Sequence, residues 1–282
     1  MKFFFVSDLH GKTDRYYKLF SLVRETQPDG LFMGGDLLPH GFSASVAVDD
    51  FTHDYLLKNF SALREQMKED YPGVFLILGN DDPRVNEASF REVEEKEDLW
   101  YYLHNRKIKK WGYDFYGYAI VPPTPFRLKD WEKYDVSRYV DPGCIHPTEG
   151  FRSVDAEKNL EWTSIKKDLE TLAGREDLSK GLFLFHTPPY ETNLDRAALD
   201  GQMIDHVPLD LHVGSIAVKD FIEEKSPLVS MHGHIHESTR ITGEWKEKIG
   251  KTWAFNAATD GPELSVVVFD PEKPERAERW LL

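Results

Sequence analysis

The chain has 282 residues, of which 40% are hydrophobic, and this allows one large core, so we expect a single domain over 1–282. With 49 acidic and 35 basic side chains its net charge is −14, which disfavours broad binding to a nucleic-acid backbone. The single cysteine, Cys144, excludes a disulfide framework, and no stretch approaches the ~18 apolar residues of a membrane span. We therefore expect a cytoplasmic protein without a membrane partner, and the sequence leaves its oligomeric state open.

The first third of the chain alternates apolar strands with helices. FFFV at 3–6 predicts a buried opening strand, and the apolar spacing that follows predicts a helix from Thr13 to about Thr26. Further buried strands are predicted at 30–36 and 74–81, with a helix between them at 51–70. Continuous apolar strands that alternate with helices are typical of an α/β fold whose strands are buried on both faces.

The rest of the chain combines predicted elements with two long polar segments. The elements are two strands within 99–121, a helix at 156–173, a strand at 181–189, a helix from about Ile216 to Glu224, and strands at 227–236, 252–259 and 264–270. The polar segments 122–155 and 187–212 show no clear period. Compact domains usually keep long irregular segments for function, so we expect both segments to border a substrate cleft.

Five of the apolar runs stop at side chains that can bind a metal ion. In chain order these side chains are Asp8 and His10, Asp36, Asn80 with Asp81 and Asp82, His186, and His234 with His236. In open α/β sheets ligands bind at the carboxyl ends of the strands, so we expect these side chains to meet in one cleft. Donors of the Asp, Asn and His types without thiolates suit Mn, Fe, Zn or Ni ions. Two ions that share Asp36 form the clamp used for in-line displacement at phosphorus.

The sequence HGHIH at 232–236 places three histidines at every second position. In an extended backbone His232, His234 and His236 would share one face. We expect the last two to bind metal and His232, which precedes the glycine, to pack beside the site.

Five short motifs along the chain resemble those of one superfamily. They are DLH at 8–10, GGD at 34–36, GNDD at 79–82, FH at 185–186 and GHIH at 233–236. The calcineurin-like metallophosphoesterase superfamily carries D-x-H, G-D, G-N-[HD]-[DE], a lone His and G-H-x-H in that order. All five motifs appear in this order, each after a predicted apolar strand, and together they span residues 8 to 236, so the chain resembles this superfamily over most of its length.

A finer resemblance lies in the second half of the chain. HTPPY at 186–190 and the stretch 213–238, in which a Gly-Ser turn begins a helix, are similar to a bacterial and archaeal branch of small phosphoesterases. The motifs of that branch leave the substrate open.

The resemblance implies a fold, a pair of ions and an activity. The fold has four layers, with two mixed β-sheets packed as a sandwich and flanked by helices, and it refines the plainer α/β prediction. The implied activity is hydrolysis of phosphodiester or phosphomonoester bonds in nucleotide-like small molecules, by in-line attack of a hydroxide that bridges two divalent ions. The implied ligands are Asp8, His10, Asp36 and His236 for the first ion, and Asp36, Asn80, His186 and His234 for the second.

Two residues are candidates for a catalytic role beside the ions. Many catalytic members carry a histidine after the G-N pair, where this chain has Asp81. Two nearby dications favour the ionised form of a carboxyl group, so Asp81 is a poor proton donor. His40 lies four residues after Asp36, near the offset at which the nuclease branch carries a histidine that contacts phosphate, and it is the second candidate.

The sequence leaves two alternative functions open. GGDLLPHGF at 34–42 faintly resembles the branch of DNA-processing nucleases, but the charge of −14 opposes binding to DNA. A non-catalytic metal-binding member of the fold would typically have lost metal ligands, and this chain has every one that the motifs name. A small-molecule phosphoester substrate is therefore the main expectation, and a nucleic-acid partner is not expected.

Overall fold

The structure is a computed structural model that describes residues 1–39 and 50–282. The strands of these residues, numbered β1 to β14, are Phe3–Val6, Gly30–Gly34, Gly73–Ile77, Tyr101–Tyr102, Arg106–Lys110, Tyr113–Tyr118, Gly181–Phe185, Met203–Ile204, Val207–Pro208, Val229–His232, Lys246–Ile249, Thr252–Asn256, Ser265–Phe269 and Glu278–Leu281. Their α-helices, α1 to α6, are Thr13–Thr26, Lys58–Met67, Glu87–Glu97, Ile165–Ala173, Ile216–Lys225 and Ser238–Thr242. A π-helix at Thr52–Leu57 leads directly into α2.

Two six-stranded mixed sheets form the centre of the molecule, with strand orders β14-β13-β1-β2-β3-β4 and β11-β12-β10-β7-β6-β5. Aromatic rings join the sheets: Phe75 of β3 stacks on Phe115 of β6 with ring centroids 4.6 Å apart, and Phe32 of β2 lies 5.5 Å from the same ring. Helices flank the sheets, so the predicted sandwich of two mixed sheets between helices is confirmed.

The apolar runs became central strands because both faces of these strands are covered. All four residues of β1 are completely buried, and β1, β2 and β3 pair in parallel. In the second sheet β6, β7, β10 and β12 also run in parallel. Strands of this kind need an apolar residue at nearly every position, which is the pattern of FFFV and GLFLF. Their parallel direction brings the loops that follow them to one edge of the sandwich.

Several predicted boundaries were wrong. The stretch 99–121 holds three strands rather than two, because a short β4 precedes the β5–β6 hairpin. The helix predicted at 156–173 begins only at Ile165, where the Ser164 side chain caps it by accepting from the N–H of Lys167. Strand β11 was missed because it is a polar edge strand, and charged edges discourage pairing with other chains.

The polar segment 187–212 is also more ordered than predicted. A short hairpin, β8–β9, lies within 187–212. Within the described residues no helix is long and apolar enough to cross a membrane.

Candidate metal centre

Two groups of donor atoms meet where strands of both sheets end. The atoms of each group lie within 4.8 Å of one another. The first group is Asp8, His10, Asp36 and His236, and the second is Asp36, His186 and His234. Asn80 joins the second group, because its Oδ1 lies 2.9 Å from Nε2 of His186. The structure thus brings together all seven residues that the motifs suggest as ligands, with Asp36 common to both groups.

In the first group one ring nitrogen faces two potential acceptors, of which a single ring proton can serve only one. Nε2 of His236 lies 3.1 Å from Oδ1 of Asp8 and 3.1 Å from Nε2 of His10. Nε2 of His10 also lies 4.0 Å from Oδ2 of Asp36. A neutral imidazole carries a single ring proton, so protons alone satisfy such a set of nitrogens and carboxylates poorly. A cation placed among them can accept all of these lone pairs at once.

The second group is organised around His186, which is completely buried. Its Nδ1–H donates to the carbonyl oxygen of Gly34 at 2.8 Å. The other ring nitrogen, Nε2, faces Oδ1 of Asn80 at 2.9 Å and Oδ2 of Asp36 at 3.3 Å, where it carries a proton in the absence of metal and can bind an ion once that proton is lost. Histidines that bind metal usually anchor the other ring nitrogen in this way, so the donors fit a divalent ion.

The electrostatics of the centre follow from burial and from the facing charges. Burial alone would raise the pKa of Asp36, but His186 and His10 lower it to about 2. Burial alone would lower the pKa of His186, but the carboxylates of Asp36 and Asp8 raise it to about 10. For His234 burial prevails, with His186 adding to it, and its pKa falls to about 3. The carboxylates therefore stay ionised and ready to bind cations at neutral pH.

The backbone is left-handed at four of these residues. The φ angles are 59° at Asp8, 48° at His10, 52° at Asp36 and 69° at His234. Such conformations cost of order 1–3 kcal/mol each for residues other than glycine, and they cluster at functional sites. The turns direct successive side chains of a loop into the same small volume, which an extended strand cannot do.

Two glycines allow the loops to approach each other closely. A Cβ at Gly35 would lie 2.6 Å from Nδ1 of His186, and the φ of Gly35 is 96°. A Cβ at Gly79 would lie 2.3 Å from Oδ1 of Asp36. The glycines that precede Asp36 and Asn80 are therefore required by the centre itself.

Asp82 has a structural role that the sequence did not reveal. Its carboxylate is completely buried and accepts the backbone N–H groups of Leu37 at 3.0 Å, Leu38 at 2.8 Å and Gly79 at 2.9 Å. Burial and the neighbouring Asp36 raise the pKa of Asp82, and these three donors oppose that shift. Asp82 thus ties the loop after β2 to the loop after β3.

The remaining candidates have different positions. Asp81 lies at the rim, with its side chain 24% exposed and its Oδ2 3.7 Å from Nδ1 of His10. His232 does not share a face with the other two histidines: its ring stacks on Phe185, and its nitrogens bond to Thr187 and Ser230. The prediction of one shared face assumed an extended backbone, and it was wrong because β10 ends at His232 and the chain then turns.

His40 and Cys144 are the two remaining residues that the sequence singles out. His40 lies outside the residues that the structure describes. Burial and the nearby Asp141 raise the pKa of Cys144 to about 11, so its thiol is a poor nucleophile at neutral pH.

The raised pKa of His186 predicts a pH dependence of stability. Its folded value of about 10 lies above its ordinary 6.5, so the protonated ring stabilises the fold fully below pH 6.5, and this stabilisation disappears as pH rises through about 10. We expect the free energy of unfolding of EDTA-treated protein to fall over this interval. Saturating Mn²⁺ should remove the fall, because the ion replaces the proton.

Urea denaturation at stepped pH measures this dependence, with His186→Asn as the control for other titrating groups. The variant should lack the part of the fall that the wild type shows. Identical pH profiles for the two proteins would contradict the prediction.

Comparison with known proteins agrees with the motifs and the fold. The family model for calcineurin-like phosphoesterases matches residues 1–238. TT1561 of Thermus thermophilus has a similar solved structure, with a TM-score of 0.59 and 17% identity over 99% of this chain and 98% of that chain. A second crystal structure aligns with a TM-score of 0.59 and 18% identity over the same shares of both chains, 99% and 98%. No curated protein sequence matches the chain. The chain belongs to the calcineurin-like phosphoesterase family and is a metal-dependent phosphoric ester hydrolase.

Proposed function

We propose that this chain hydrolyses phosphodiester or phosphomonoester bonds in small, nucleotide-like molecules with two divalent ions. The observation that carries the proposal is the position of Asp36, which belongs to both donor groups. Paired ions ~3.5–4 Å apart bind the attacking and leaving oxygens of an in-line displacement at phosphorus. The proposed ligands are Asp8, His10, Asp36 and His236 for one ion, and Asp36, Asn80, His186 and His234 for the other.

The chemistry of the donors supports transition-metal ions. Imidazole, carboxylate and amide donors without thiolate suit Mn, Fe, Zn or Ni. When bound, such ions lower the pKa of water and stabilise charge on the phosphoryl oxygens. The chain's own residues would hold one ion in each donor group, keep the binding carboxylates ionised, and leave Asp81 at the rim beside His10.

The segment 122–155 is fastened to the loop that carries Asn80. The indole N–H of Trp131 donates to the carbonyl oxygen of Asp82 at 2.7 Å. The backbone N–H of Arg84 donates to Oδ2 of Asp130 at 2.8 Å. These bonds attach the segment to residues that closely follow Asn80 in the chain, which supports our proposal that it borders the substrate cleft.

The segment 187–212 begins directly after His186 and is held by a buried carboxylate. Asp195 accepts the N–H groups of Glu191 at 3.0 Å, Thr192 at 2.9 Å and Gly214 at 3.0 Å. At its start, the Tyr190 hydroxyl donates to Asp210 at 2.7 Å. A loop held in this way presents fixed side chains, as substrate selection requires.

Removing the Tyr190 ring is therefore expected to change substrate preference. We expect Tyr190→Ala to alter the ratio of kcat/KM between a nucleotide ester and p-nitrophenyl phosphate by about tenfold, the effect of a modest pocket change. Metal content should stay at the wild-type value. Tyr17→Ala is the matched control, because Tyr17 is 69% exposed on α1. An unchanged ratio in Tyr190→Ala would contradict a role of this segment in selection.

A screen of metals against substrates tests the proposed function. Protein stripped with EDTA is reloaded with Mn, Fe, Zn or Ni and assayed on bis-p-nitrophenyl phosphate, p-nitrophenyl phosphate, nucleotide mono- and diesters, and DNA. We expect hydrolysis of small esters only with metal, and two ions per chain by elemental analysis. Binding of one ion at saturation, or a preference for DNA that weakens steeply with salt, would overturn the proposal.

A further inference from the structure

Arg15 lies beneath the metal centre although no motif includes it. It stands in the first turn of α1 and is 1% exposed. Its Nη1 donates to the carbonyl oxygen of Asp8 at 2.8 Å, and its Nη2 donates to the carbonyl oxygen of Gly261 at 2.5 Å. The guanidinium therefore joins the loop after β1 to the loop after β12.

Burial of the Arg15 side chain is energetically costly. A guanidinium remains charged in proteins, and burial of a charge is costly unless it is paired. Among the described residues no carboxylate oxygen lies within 4.0 Å of the Arg15 nitrogens, and its Nε has no hydrogen-bond partner. Its hydrogen-bond partners are two backbone carbonyls, and the carboxylates of Asp8, Asp14 and Glu263 favour its charge only from beyond ion-pair distance. A cost of this kind, without an ion pair, suggests that the geometry of those carbonyls matters.

The carbonyl that Arg15 holds belongs to a strained residue. Asp8 has a φ of 59°, and its N–H donates to the carbonyl oxygen of Gly35 at 3.0 Å. Its carboxylate accepts the backbone N–H of His234 at 3.1 Å and faces His236 at 3.1 Å. Asp8 is thus held on one side by Gly35 and on the other by Arg15. Loss of the Arg15 bond would free the peptide of Asp8 to rotate toward an ordinary conformation.

We propose that Arg15 is a positioning residue that holds Asp8 in the left-handed conformation from which its carboxylate binds the first metal ion. The inference rests on the proposed function, in which Asp8 is a ligand of the first ion alone. The planar fork is essential, because its two terminal nitrogens point at two carbonyls from different loops. Lysine keeps the charge on a single nitrogen and cannot reproduce that fork.

Mn²⁺ titrations of EDTA-treated Arg15→Lys and Arg15→Gln test the proposal, with calorimetry and the spectrum of the spin-coupled Mn pair as readouts. Partners that orient a metal ligand typically contribute ~10–100-fold to metal affinity, so we expect a loss of that size for one ion. The variants His236→Ala and His186→Ala identify which ion is weakened, since each removes a ligand of one group. The ion weakened by Arg15→Lys should be the one lost in His236→Ala.

Arg24→Lys is the matched control, because Arg24 lies on the same helix, is itself exposed, and donates to the side chains of Gln66 and Ser21 at the protein surface. Wild-type affinity for both ions in Arg15→Lys would overturn the inference. Equal weakening of both ions would also overturn it, because it indicates general destabilisation. If Arg15→Lys does not fold, as shown by loss of its circular dichroism signal, the same comparison is made with Arg15→Gln. Failure of the wild type to bind two ions would instead refute the proposed function.

Discussion

Asp36→Asn is expected to lower kcat/KM by at least about a thousandfold, because the shared ligand contributes several kcal/mol through both ions. The two oxygens of Asp36 have different roles. Oδ1 accepts the backbone N–H of Asp81 at 2.8 Å, whereas Oδ2 faces His186 at 3.3 Å and His10 at 4.0 Å. In the variant the amide oxygen still accepts the hydrogen bond from the Asp81 N–H, as Oδ1 does in the wild type. The NH₂ group therefore takes the position of Oδ2. A donor there would face both proposed ion sites and would weaken the binding of each ion.

Asp8→Asn is the matched control for this prediction. Asp8 belongs to the first donor group alone, so its variant should lose one ion and keep the other. Elemental analysis of both variants after saturation with Mn²⁺, together with kcat/KM on bis-p-nitrophenyl phosphate, makes the comparison. Two ions retained in Asp36→Asn would show that Asp36 is not the shared ligand.

A steep dependence on the leaving group is the second large effect. Asp81 stands at the rim, 3.7 Å from His10, and nearby dications keep such a carboxylate ionised. It therefore has no proton to give to a departing alkoxide. General acid catalysis contributes ~10²–10⁴-fold and matters most for poor leaving groups. We expect aryl esters to be cleaved far faster than alkyl esters, as measured by kcat/KM against leaving-group pKa.

Asp81→His should reduce the preference for aryl over alkyl esters only in part. An imidazole acts well when a neighbouring carboxylate orients it, but the Asp82 carboxylate is committed to three backbone N–H groups. We therefore expect alkyl esters to gain less than about tenfold, below the usual range for general acids. Asp81→Asn is the control, since it removes the charge without adding a donor and should leave the slope unchanged. A shallow wild-type slope would mean that another residue supplies the proton, with His40 as the first candidate.

Much of the fold was predictable because its signals are local. A strand buried on both faces needs an apolar residue at each position, so FFFV and GLFLF were recognisable without any tertiary information. The edge strands β11 and β14 were missed for the same reason: an edge strand is partly exposed and carries charged residues. The start of α4 at Ile165 depends on the cap by Ser164, which a window of apolar spacing does not detect.

The sequence by itself determined which residues could form the metal centre, because a polar side chain that directly ends a buried strand is a local pattern. It also indicated two ions, since the seven donor side chains at the strand ends are more than one ion needs. The sequence could not determine the directions in which these side chains point. Alternation predicted one face for His232, His234 and His236, but the chain turns at His234, where φ is 69°, and His232 enters the core.

Only the tertiary structure decided what supports the centre. Arg15 contacts Asp8 and Gly261, which is 246 residues away, and Asp82 contacts backbone groups 44 and 45 residues away. Such partners are N–H and C=O groups that every residue possesses, so no pattern of side chains announces them. The physical reason is that a ligand's identity is encoded where it stands in the chain, whereas its orientation depends on backbone groups that folding brings from elsewhere.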